Sequence, residues 1–70
     1  MMPLTIVGSG ETAVIKKITG KDEVRQHLAE LGFVESSSVT VISRANGNLI
    51  VQVKDSRIAL DQTMAMRIMV

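Results

Sequence analysis

Residues 28–42, LAELGFVESSSVTVI, change their hydrophobic period halfway along. Leu28 and Leu31 complete a set that begins at Val24 and runs through His27 at i, i+3, i+4 and i+7, which is one face of a helix. Beyond Ser38, Val39 and Val41 fall on every second position, as in a half-buried strand. Gly32-Phe33 stands between the two patterns. Glycine takes the left-handed conformation that ends a helix without steric cost, and Phe33 is placed to fold back over the last turn. The stretch therefore reads as helix, encoded stop, strand.

Upstream, Thr19-Gly20-Lys21-Asp22 opens the helix. Asp22 is the expected acceptor for the orphan backbone N–H groups, and Glu23 suits the positive end of the dipole, predicting a helix of about ten residues. Before it, Thr12 to Thr19 reads as one strand of β-branched residues in which the adjacent Lys16 and Lys17 mark an edge or a bulge. Gly8-Ser9-Gly10-Glu11 is a turn that separates this strand from a short apolar lead, Leu4 to Val7.

Downstream, Ser38 to Arg44 and Asn48 to Lys54 are strands around Ala45-Asn46-Gly47. A two-residue Asn-Gly turn would set Val41 against Gln52 and Val39 against Lys54, which opposes a charge to the apolar face. A three-residue loop with Gly47 left-handed sets Val41 against Val51 and Val39 against Val53, and is the expected connection. The same register places Ile42 opposite Ile50 on the outer face, beside Arg44. Asp55-Ser56 then turns into a short strand from Arg57 to Leu60. Asp61-Gln62-Thr63 suits a single helical turn before a last strand, Met66 to Val70.

Seventy residues make one domain, 1–70, with a thin core. No proline-rich or low-complexity linker divides it. The composition is 46% hydrophobic with Phe33 as the only aromatic, so Val, Ile, Leu and Met must fill the interior. Cysteine is absent, which removes disulfides and thiolate metal sites and fits a reducing, cytoplasmic setting. No apolar run approaches the length of a membrane span, and no signal peptide is evident. A net charge of +1, with acidic and basic residues interspersed and no Tyr or Trp, leaves neither a basic stripe nor stacking platforms for nucleic acid. Five short strands and one helix suggest a small, nearly closed barrel, mainly β, with Val24, Leu28 and Leu31 capping one open end.

Gly10-Glu11, Leu28 through Leu31-Gly32-Phe33, Val39-x-Val41, Val51-x-Val53, Ala59-Leu60 and Ala65-x-x-Ile68-x-Val70 together resemble the FeoA-type family over nearly the whole chain. The resemblance implies an SH3-like barrel and a cytoplasmic accessory role in ferrous iron transport. It also implies a partner, the cytosolic GTPase domain of a FeoB-type membrane iron transporter, and kinship with the C-terminal barrel of diphtheria-toxin-repressor-type metal regulators. The family usually has Pro-Gly after the Leu-Gly-Phe stretch, where this chain has Glu35-Ser36. Without the residues that favour a type II turn, a looser or differently shaped loop is expected.

Few residues look like chemistry. His27 lies one turn after Glu23 and near Glu30, and Glu23 and His27, joined by Glu30 or Glu35, make the donor set of a metal-responsive alternative. A site needs several convergent ligands, so a ring partly covered at the border of the helix's apolar face is the plainer expectation for His27. Met64 and Met66 are expected in the core and Met69 outside it. Neither Gly8-Ser9-Gly10 nor Gly20-Lys21-Asp22 completes a phosphate loop. Ser36-Ser37-Ser38 has no base positioned to activate a hydroxyl, so neither an enzyme nor a cofactor protein is expected. Ile42 and Ile50, flanked by Arg44, are the candidate docking residues for a partner protein, with packing beneath residues 3 to 7 as the alternative. Homo-oligomerisation through the barrel edges is also open.

Overall fold

The helix stop at Gly32 organises the molecule, whose computed structural model describes all 70 residues. Helix α1 spans Asp22–Glu30 and ends at Leu31. Gly32 takes φ +107°, its N–H donates to the Ala29 carbonyl at 3.0 Å, and the Phe33 N–H donates to the Leu28 carbonyl at 2.9 Å. This pair of bonds is a Schellman closure, and it buries Phe33 and Leu28 completely in one core. The helix begins differently from the sequence reading. Lys21 holds the N-cap position with no side-chain cap, while Asp22 lies inside the first turn and pairs with Arg25 at 2.8 Å.

Six strands form two sheets. In the first, β1 (Thr12–Val14), β3 (Ser38–Ala45), β4 (Asn48–Val53) and β5 (Ser56–Asp61) lie in the antiparallel order β1-β3-β4-β5. In the second, β2 (Lys17–Ile18) pairs with β6 (Ile68–Met69). The expected single strand from Thr12 to Thr19 is thus split, and the break falls where the lysines disturb the alternation. Ile15, at the break, is fully buried; its N–H donates to the Ser37 carbonyl, and the Lys16 N–H to that of Met69. One segment thereby joins both sheets. The barrel remains open: the two sheets share no hydrogen-bonded ladder.

Helix α2 (Gln62–Ala65) packs on β5, with the Asp61 side chain accepting from the Met64 N–H at 2.8 Å as its N-cap. The last strand is correspondingly shorter than Met66 to Val70. Leu4, in a 3₁₀ turn spanning Leu4–Ile6, is buried as well. The core holds Leu4, Ile15, Leu28, Phe33, Ile68 and the inward residues of β3, β4 and β5, with Val24, Leu31 and Met64 packed against it. Met66 is 52% exposed, against expectation, because it follows α2 as its C-cap and precedes the buried Ile68. Met69 is half-buried.

The β3–β4 hairpin departs most from the sequence reading. Val39 pairs with Val53 and Val41 with Val51, as the apolar pattern requires. At the tip, however, Ala45 pairs with Asn48 around a two-residue Asn46-Gly47 turn, with φ +53° and +81°. Both central residues are left-handed, as a type I′ turn demands. The missing residue is recovered by a β-bulge between Val41 and Ser43, so Ser43 takes the register position opposite Ile50 and Ile42 is the extra residue beside it.

The turn at Glu35-Ser36 is also ordered, against expectation. The Ser37 N–H donates to the Val34 carbonyl at 3.1 Å, and Ser36 holds φ +72° while Glu35 has negative φ. This is a type II turn with serine in the place glycine usually takes.

Candidate functional site

The bulge keeps Ile42, beside Ser43, opposite Ile50 and turns Arg44 to the other face, so it removes one of the three residues that the sequence groups together. Ile50, with Ser43 and Ala59 as cross-strand neighbours, lies on the face opposite the buried Leu49 and Val51. Ile42 is the extra residue of the bulge and is half-buried. Neither isoleucine packs against the core, whereas Leu4 and Val7 of the N-terminal segment do.

Arg44 pairs with Leu49 and so belongs to the other side of the hairpin. Its guanidinium Nη2 donates to the Thr5 carbonyl at 2.7 Å and to the Val7 carbonyl. The side chain therefore fastens the N-terminal 3₁₀ turn to the hairpin and does not flank Ile42 and Ile50. No local signal in the sequence pointed to this tie, because its acceptors are main-chain carbonyls nearly forty residues away. Arg44, Thr5, Gly47, Asn48, Leu49 and Gln62 line a shallow groove of about 170 Å³, below the ~300 Å³ at which small-molecule pockets begin. A second hollow is larger, about 390 Å³, but more open to solvent, and its lining of Ser37, Ser38, Thr40, Gln52 and Lys54 includes no apolar side chain to cover a ligand.

His27 and Glu23 both lie exposed on α1, not at a covered border. They form no ion pair with each other, and nowhere do three His, Asp or Glu side chains converge. Glu30 and Glu35 are exposed as well. No buried side-chain N or O atom lacks a partner, so no polar cradle waits for a ligand in the interior. No helix is long and apolar enough to cross a membrane. Large apolar side chains do reach solvent at Met1, Met2, Ile6, Val14 and Met66. Of these, Ile6 belongs to the 3₁₀ turn that packs beside α2, and Met66 ends α2. The surface is thus better furnished for contact with another macromolecule than for holding a small ligand.

Similarity to known proteins agrees with this fold. The FeoA domain model matches residues 2–70. A protein of Methanocaldococcus jannaschii with the provisional name Fe(2+) transport protein A is 37% identical over all 70 residues, covering 85% of that relative. The FeoA of Stenotrophomonas maltophilia, solved in complex with zinc and described as a prokaryotic SH3 domain protein, superposes with a TM-score of 0.86 at 28% identity. That match covers 99% of this chain and 88% of that one. A manganese-dependent transcriptional repressor shares the fold over 94% of this chain and 38% of its own, at 20% identity and a TM-score of 0.85. Matched over residues 2–70 by the family model and along its full length by a relative at 37% identity, the chain belongs to the FeoA domain family.

Proposed function

We propose that this protein is a cytoplasmic accessory factor of ferrous iron transport that binds the cytosolic GTPase domain of a FeoB-type transporter and modulates it without performing chemistry itself. The observation that carries the reading is the FeoA match across residues 2–70, joined to a relative of the same family at 37% identity. The surface supports it: the two hollows are open and lined almost wholly by polar residues, no donor cluster forms, and Ile42 and Ile50 stand outside the core on the hairpin.

Titration calorimetry between this chain and the isolated GTPase domain tests the reading. Saturable binding is expected, weakened about tenfold or more by Ile50→Glu, since a carboxylate buried at an interface costs well over 1.4 kcal/mol. Ile42→Glu, measured separately, tells whether the bulge residue shares in the contact. Absence of binding by the unaltered chain overturns the partner, and unchanged binding by both variants moves the contact off the hairpin. The metal-responsive alternative has less support, because Glu23 and His27 have no third donor beside them.

A further inference from the structure

Strand β5 is an open edge whose sequence is complementary to itself. A two-residue turn at Lys54-Asp55 joins it to β4, and Val53 pairs with Ser56. The residues closing such a turn exchange both backbone hydrogen bonds, and the pattern alternates along the ladder. Val51/Ile58 and Leu49/Leu60 are therefore bonded pairs as well, and Arg57, Ala59 and Asp61 direct their backbone groups away from β4. Outside the β4 ladder and α2, no backbone hydrogen bond involves residues 56–61. The side chains of Arg57, Ala59 and Asp61 are exposed, and the six-residue edge has no proline or bulge to blunt it.

We infer that this edge pairs with β5 of a second copy of the chain, antiparallel about a two-fold axis at Ala59. Only this centre sets Arg57 of each copy opposite Asp61 of the other, which gives two ion pairs. A centre at Ile58 sets Asp55 against Asp61, and one at Leu60 sets Arg57 against Thr63. Ala59, on the axis, has the smallest side chain of the edge, and the two copies exchange its N–H and C=O. The Asp61 N–H donates to the Arg57 carbonyl of the other copy on each side, while the Asp61 carbonyl begins α2 as its N-cap. The contact is isologous and closes on itself, so it stops at a dimer. It stands apart from the transporter reading, and either can fail alone.

Light scattering and sedimentation from about 10 μM to about 1 mM read the result. The small contact area makes the association weak, so the mass should climb with concentration from 7.6 kDa toward twice that value. Ala59→Pro removes an N–H that points outward, a change edge strands tolerate, and should leave the circular dichroism unchanged while abolishing the rise. Arg57→Glu should weaken association at least tenfold, and decides the matter if Ala59→Pro fails to fold. Because the chain has no cysteine, Ala59→Cys should oxidise to a linked dimer across about 5.5 Å. Arg57→Cys, four residues out of step with itself and about 14 Å from its copy, should not. A monomer throughout the range, cysteine variants that crosslink alike or not at all, or a dimer untouched by Arg57→Glu and by a folded Ala59→Pro, overturns the pairing.

Discussion

Ser36 carries a left-handed φ of +72° at the third position of a type II turn, where every residue but glycine meets steric resistance. Its backbone is held there by the bond from Ser37 to Val34 and by its own N–H, which donates to the Ile15 carbonyl at 2.8 Å. The strain is local and removable. Ser36→Gly should raise stability by about 1 kcal/mol, or about 5 °C in melting temperature for a domain of this size, as read by urea and thermal unfolding. A drop in stability would mean that the serine hydroxyl or the lower freedom of the unfolded chain outweighs the φ strain. Gly32 and Gly47 were legible as left-handed positions because glycine announces that conformation. A serine in the same conformation announces nothing, so the ordered turn at Glu35-Ser36 was hidden from the sequence.

Hairpin β3–β4 shows how far apolar matching reaches at the scale of an element. A three-residue loop, and a two-residue turn followed by one bulge, each add a single residue to β3 relative to β4. Both therefore lay Val41 on Val51, and they differ only between Ile42 and Asn48. The hydrophobic pattern has no information there, because Ser43, Arg44 and Ala45 are all exposed. That is why the candidate docking group was misassembled although the strand pairing was correct. Helix α2 is the opposite case: Asp61 followed by Gln62-Thr63 is a recognisable start, and its cap forms. With only four residues, α2 relies on this cap. Asp61→Ala should cost about 1 kcal/mol in chemical denaturation and Asp61→Asn much less, since asparagine caps nearly as well. Equal losses for the two would assign the effect to charge and not to the hydrogen bond.

The whole molecule was largely readable because so few arrangements bury Val39, Val41, Val51 and Val53 together while a nine-residue helix packs Val24, Leu28 and Leu31 on the same core. What escaped the reading was long-range and polar: the split of the first strand between two sheets, and the clasp of Arg44 on the Thr5 and Val7 carbonyls. Such contacts depend on tertiary position and leave no periodic trace. Near Met2 and Val70 the backbone also closes up. The Met2 N–H donates to the Val70 carbonyl at 2.9 Å, the Val70 N–H donates to that of Met2 at 2.7 Å, and Pro3 bridges to Met69. Residues 2 and 70 are thus neighbours in space as close as any two across a hairpin. A linker of about four residues should join them into a continuous ring, and that ring, reopened between Asn46 and Gly47, should fold to the same barrel by NMR fingerprint. The order in which the chain is threaded would then be a matter of convenience, and any cargo fused at residue 2 would be delivered to the doorstep of residue 70.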